Sequence, residues 1–221
     1  MARGQWGGTT LEFRRAQRRQ QLLEAGVLLL AEGGTAAFTV RAVCRVTGLS
    51  ERYFYEHFLS RDQLVYASFD IVAEEVSAML TEAVAGAPKD PEGFARAAVA
   101  AVIKATIDEP SRGRVLFLAP ADDSMLRSRG DIVGHALVAM LRDQIPASRS
   151  SGHRDLVASS LAGALAYTFR GYVAGTLEVT RKEFSEHCVQ LLLTLASMPD
   201  PKPRRPRAKA KVAGAEEPAT G

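Results

Sequence analysis

FTVRAVCRVTGLSERYFYEHFLSRDQL, residues 38–64, decides how the rest of the chain is read. Thr39 stands where a helix N-cap is wanted, its hydroxyl able to accept from a free backbone N–H. Val40, Val43, Cys44 and Thr47 then recur at helical spacing and give one inward stripe. Gly48 falls where this helix must stop, and glycine tolerates the left-handed conformation that such stops use. Leu49 fills the angle, Ser50 is a candidate cap for the next helix, and Glu51 suits the positive end of its dipole. Phe54 and Phe58 are four apart and face inward, leaving Glu51, Arg52, Tyr53, Tyr55, Glu56 and His57 on the outer face. Helix, glycine turn and a second helix with a polar-aromatic face is the helix-turn-helix pattern. An ordinary helical hairpin, with core aromatics and solvated charges, has the same outline.

The order of blocks narrows the choice. Gly33-Gly34 closes a long first helix; Thr39-Val40-Arg41-Ala42-Val43 follows. Next come Gly48-Leu49-Ser50, Phe54-Tyr55-Glu56-His57-Phe58 and Ser60-Arg61-Asp62-Gln63-Leu64. This succession resembles the DNA-binding domain of the TetR family of bacterial one-component repressors. The resemblance implies an all-α fold in which a three-helix head carries the helix-turn-helix and a larger helical body senses ligand and dimerises. It implies base-edge contacts at Glu51, Arg52 and Tyr53, and phosphate contacts at Thr39, Arg41, Ser50, Tyr55, His57 and Arg61. The chemistry agrees: arginine can grip guanine O6 and N7, glutamate can accept from cytosine N4, and hydroxyls at a helix start suit phosphate oxygens. Arg52, Tyr53 and Glu56 depart from the family's usual residues, which leaves the operator sequence unreadable.

Composition sets the frame. A chain of 221 residues that is 47% hydrophobic can bury a substantial core. Its longest apolar clusters, residues 27–31 and 191–196, are too short to span a bilayer, and no signal peptide opens the chain. No membrane partner is expected on these grounds, and the resemblance implies a bacterial cytoplasmic location, nucleoid-associated when bound to the operator. Cys44 and Cys188, each on a helix face expected to be buried, show no metal or redox spacing. Residues 1–62 carry nine arginines against six acids, residues 63–198 carry thirteen cations against sixteen acids, and residues 199–221 carry six cations against three. A basic head on a mildly acidic body suits a protein whose head meets phosphate.

Helical periodicity continues to residue 198 and no strand alternation interrupts it, giving about nine helices. The expected division is a flexible arm at 1–9, the head at 10–62, the sensing and dimerisation body at 63–198, and a disordered basic tail at 199–221. Helices are expected at about 11–32, 61–85, 91–107, 112–118, 122–144, 151–177 and 181–198, beside the two in the motif. The fourth, capped by Ser60, places Leu64, Ala67, Ile71, Val72, Val76, Met79, Leu80 and Val84 on its apolar side. Asp122-Asp123, after Pro120, read as a helix cap rather than a metal pair. The last two helices, about 151–177 and 181–198, have apolar faces, the first of them interspersed with small residues such as Ala158, Ala162 and Gly163. The resemblance makes them the homodimer surface, although burial within one chain accounts for the same pattern.

The resemblance also implies a small-molecule effector that releases the operator. Phe117, Met125, Met140, Tyr167 and Arg170 are the candidate pocket residues, on weaker grounds because aromatic and Met residues at helical spacing also make plain core. His57, His135, His153 and His187 are scattered, and no phosphate-cradling loop or nucleophile motif appears, so neither an enzyme nor a cofactor or metal site is expected. A ligand-free, constitutive DNA-binding regulator of the same fold remains the alternative.

Overall fold

The computed structural model describes residues 11–200. The arm at 1–9 and nearly all of the basic tail lie outside the described residues. Within them the elements are α1 (Leu11–Ala37), α2 (Val40–Thr47), α3 (Glu51–Tyr55), α4 (Arg61–Ala85) and α5 (Pro91–Thr106). Then come α6 (Pro110–Gly113), a π-helical turn (Arg114–Leu118), α7 (Ala119–Asp122), α8 (Ser124–Gln144), α9 (Ser151–Val173) and α10 (Arg181–Ala196). Counting 110–122 as one irregular helix gives nine among the described residues, with no strand.

Local chemistry explains most boundaries. The hydroxyls of Thr39 and Ser60 accept from the amides of Ala42 (3.1 Å) and Gln63 (3.2 Å), capping α2 and α4. Asp90 caps α5 ahead of Pro91, and Asp123 caps α8 by accepting from Met125 N at 2.8 Å. Thr180 and Glu183 form a reciprocal capping box at the start of α10. Gly48 ends α2 at φ 70°, a conformation open to glycine without penalty.

Several expected bounds shift. At Gly34 the backbone takes φ 60° and ψ −164°, so the first helix breaks there as anticipated, but residues 35–37 add one more helical turn. The second motif helix, expected from the sequence over about 50–58, is shorter. It ends at Tyr55, and Glu56 and His57 form a turn that still drives Phe58 into the core. Ser50 precedes α3 with extended backbone but makes no side-chain cap bond. On α4 the buried line is Leu64, Val65, Ser68, Phe69, Val72, Val76 and Leu80, whereas Ala67 and Ile71 are only half-buried. A hydropathy reading passes over Ser68. Its hydroxyl is nonetheless buried and donates to Leu64 O at 2.7 Å, which removes the cost of its polarity.

Two apolar clusters fill the molecule. One gathers Leu22, Leu23, Leu29, Leu30, Phe38, Val43, Phe54 and Phe58 with α4 residues from Leu64 to Val76, and reaches Val115, Ala119 and Leu126. The other joins α5, the end of α8, α9 and α10 through Val99, Ile103, Leu141, Leu161, Phe169, Phe184, Cys188 and Leu192. Packing therefore runs without a gap across residue 62. α1 crosses α4 so closely that a Cβ on Gly26 would collide with Ser68 Oγ. Overpacking of this kind costs about 1–3 kcal/mol. Gly26→Ala should lower stability by about that amount in urea unfolding, and adding Ser68→Ala should recover much of the loss.

The helix-turn-helix head as candidate nucleic-acid interface

The short helix α3 is positioned by its two inward aromatics. Phe54 and Phe58 are 0% and 2% exposed, and their ring centroids lie 6.1 Å apart. With those rings seated, Glu51, Arg52, Tyr53 and Tyr55 must face solvent, and all four are exposed. Tyr55 sets its edge against Phe54 at 5.2 Å while remaining half open to solvent. Arg52 pairs with Glu56 at 3.4 Å, and Arg41 with Glu51 at 3.9 Å. The side chains of Arg52 and Arg41 are 86% and 92% exposed, so water weakens both pairs and a competing anion can replace either carboxylate.

Arg61 occupies a different setting. Its Nε donates to Phe38 O at 2.6 Å, NH2 donates to Thr35 O, and NH1 meets Asp62 at 3.0 Å. The guanidinium thus ties the start of α4 to the two carbonyls that follow the Gly34 break. The resemblance implied a phosphate contact here; the geometry shows a side chain occupied in bracing the head. His57 is half-buried, and its Nε2 is shut off from solvent with no hydrogen-bond partner. Burial first, then the nearby Arg15 and Arg18 guanidinium charges, pushes its pKa below the ordinary 6.5. A phosphate contact by His57 would consequently have to use the other ring nitrogen.

Four of the nine arginines that make residues 1–62 basic lie on α1, and three of them reach the motif. Arg18 lies over the Tyr53 ring at 4.6 Å, Arg19 over Phe58 at 5.5 Å, and Arg15 NH2 donates to Glu56 O at 3.5 Å. Four arginines within residues 14–19, one turn before the buried stripe, were the available signal.

The expected pocket residues do not come together. Phe117 stacks on Phe169 at 5.3 Å, Met125 packs on the head-side cluster, Met140 is half-buried, and Arg170 reaches Asp122 at 3.4 Å. Tyr167 and Arg170 border one groove of about 890 Å³, together with Leu177, Phe184 and His187. A separate cavity of about 440 Å³ lies where α4 ends, between Val84, Phe94, Leu141, Ile145, Leu161 and Leu192, with Lys89 at its side. Cys188 is buried, and burial pushes its thiol to about 11, which leaves it unreactive at neutral pH. No described helix is long and apolar enough to cross a membrane.

A short helix held by buried aromatics, its polar face outward behind a glycine turn, defines a helix-turn-helix DNA-binding class. Residues 22–67 match the family model for bacterial regulatory proteins, tetR family. Residues 22–67 thus form a tetR-type DNA-binding head, and the described chain has the TetR-like all-α fold. A transcriptional regulator from Pseudomonas aeruginosa PAO1 superposes with a TM-score of 0.67 at 21% identity, over 85% of this chain and 96% of that one. The fatty acid degradation regulator FadR from Bacillus halodurans gives 0.65 at 16% identity, over 80% of this chain and 94% of its own. The multidrug binding protein EbrR, complexed with imidazole, gives 0.60 at 18% identity, over 85% and 98%. No curated protein sequence matches the chain.

The depressed His57 pKa has a definite pH consequence. Above the ordinary value of 6.5 the ring is neutral folded or unfolded and contributes nothing. As pH falls below that value, the unfolded chain takes up a proton that the folded chain resists, so stability declines. His57→Gln should remove that part of the decline between pH 7 and 5, read from urea midpoints at each pH.

Proposed function

We propose that the protein is a homodimeric transcriptional repressor that lays α3 of each copy into the major groove of a palindromic operator and leaves it when a small molecule binds the body. The observation that carries the proposal is the α3 face itself: two buried phenylalanines hold Glu51, Arg52, Tyr53 and Tyr55 outward on a rigid frame. In the major groove each base pair offers a distinct donor and acceptor pattern, and these side chains match it. Glu51, Arg52 and Tyr53 are assigned to base edges. Thr39, Arg41, Ser50, Tyr55 and His57 are assigned to the phosphates beside them, and Arg61 to bracing the head. On this reading residues 10–62 act as the reader and residues 63–198 as sensor and dimer platform, in the cytoplasm.

Two copies are needed because one short helix covers only a half-site. The surface supporting dimerisation is the outer side of α9. Leu156 and Tyr167 are 68% and 77% exposed there, with Ser160 and Gly163 between them at spacings of four and three. A helix face with large apolar ends and small residues between suits close packing against a second copy. α10 continues that face with half-buried Leu191 and Leu195.

For the effector, the apolar cavity of about 440 Å³ is within the range of small-molecule sites, and Val84 and Ala85 at the end of α4 line it. The start of α4 belongs to the head, so a ligand that fits only one tilt of α4 would select one spacing of the two heads. Apolar effectors fit such a lining, and the similar folds of a fatty acid degradation regulator and a multidrug binding protein support the same class.

Gel shifts on duplexes selected from a random pool test the reader. Tyr55→Ala should weaken all selected sites about equally, whereas Arg52→Ala should cost about 1–3 kcal/mol and relax preference at one base position. Unchanged affinity in both would remove α3 from the interface. Gly163→Arg should turn a dimer into a monomer in analytical ultracentrifugation and abolish half-site cooperativity. A thermal-shift screen with fatty acids and lipophilic cations should yield a compound that raises Tm and lowers operator affinity; stabilisation without loss of DNA binding would favour a constitutive regulator.

A further inference from the structure

The buried side of α1 changes character along its length. Leu22, Leu23, Gly26 and Leu30 fill the head core, and the same side continues toward the N-terminus as Arg19 and Arg15. At 100° per residue, Arg14, Arg15, Arg18 and Arg19 lie within an arc of roughly 140°. An apolar stripe thus becomes a basic one where α1 overhangs α3. Arg14, Arg15 and Arg19 are exposed, whereas Arg18 is half-buried with its Nε shut off from solvent. Arg18 rests on the ring of Tyr53 and Arg19 on that of Phe58, contacts that orient a planar cation and leave N–H edges for an anion.

Three of the motif's four cations have partners, Arg41 with Glu51, Arg52 with Glu56 and Arg61 with two carbonyls and Asp62, while Arg45, exposed on α2, has no carboxylate within ion-pair distance among the described residues. Among the described residues, none of the four α1 arginines lies within ion-pair distance of a carboxylate. Uncompensated charge in the head is therefore concentrated beside the recognition helix. The combined field of Arg15, Arg18 and Arg19 is felt at His57, whose protonation all three oppose.

We infer that Arg14, Arg15, Arg18 and Arg19 form a phosphate-binding ridge that grips the DNA backbone flanking the groove occupied by α3. This inference rests on the DNA-binding reading above and extends its footprint to a helix outside the motif. A ridge of this kind supplies affinity and salt dependence without sequence information, because phosphates are the same at every site. It also explains how a recognition helix of five residues, with its charges internally paired, obtains binding strength.

The test is the salt slope of binding, measured by fluorescence anisotropy with the full chain on a selected duplex and on a mixed-sequence duplex of equal length. Each lost phosphate contact should reduce the slope of log K against log salt by about 0.9. Arg14→Gln/Arg15→Gln should therefore lower it by about 1.8, so that raising salt from about 50 to about 200 mM costs the wild type roughly twelvefold more affinity than the variant. Arg14→Lys/Arg15→Lys should keep the wild-type slope. The ratio of selected to mixed-sequence affinity should stay constant in both. If the double neutral variant proves unstable, Arg14→Gln alone, away from the aromatic contacts, should still lower the slope by about 0.9. An unchanged slope in the neutral variants overturns the ridge, as does a loss of sequence preference at unchanged slope. Failure of the wild type to bind any duplex overturns the DNA-binding reading itself, a result separable from either.

Discussion

Where α1 passes α4, Gly26 leaves room for nothing beyond the buried Ser68 hydroxyl. That contact locks two long helices together, and the remaining head residues are arranged around it. Phe38, Phe54 and Phe58 close over the same cluster, which fixes the α3 backbone and thereby the direction of Tyr53 and Tyr55. α4 runs on for 25 residues to Ala85, so one helix spans from the head to the far apolar cavity. Side-chain links brace it. Arg112 bonds Glu75 at 3.0 Å, and Arg129 bonds Asp70 while lying over Tyr66 at 4.4 Å, so α6 and α8 both hold α4.

Electrostatics divides the head into internally satisfied and available charge. Arg61 is structural: its donors bind carbonyls that the Gly34 break leaves without helical partners. Arg41 and Arg52 are in exposed pairs, which cost little to exchange for phosphate or guanine. Arg18 and Arg19 are oriented by aromatic faces, Arg15 reaches the Glu56 carbonyl, and none of the four α1 arginines has a carboxylate to give up among the described residues. Affinity and specificity can then reside on different helices, backbone grip on α1 and base reading on α3, and be altered independently.

Much of the head was legible because its signals are local. Thr39, Gly48 and Ser60 act within a few residues of themselves, so capping chemistry placed α2 and α4 correctly. Ser50 misled because a serine before a helix can leave its hydroxyl unused, and the short α3 came from a turn at Glu56 and His57 that carries no glycine or proline. The task of Arg61 depends on carbonyls 23 and 26 residues away, beyond any local pattern. In the body, the candidate pocket residues were chosen by type. Phe117 packs on Phe169 and Met125 on the head cluster, while an apolar cavity forms among residues from α4, α5, α8, α9 and α10 that no short motif unites.

The central claim is that α3 lies in the major groove, once per half-site, in a symmetric pair. Dimethyl sulfate methylates guanine N7, which faces that groove, so protection from it on a selected duplex reports the placement directly. The account predicts two protected patches related by the operator's dyad and about one helical turn apart, both lost in the Tyr53→Ala/Tyr55→Ala protein. Full N7 reactivity across a duplex that the protein demonstrably occupies, or a single unpaired patch, would contradict it.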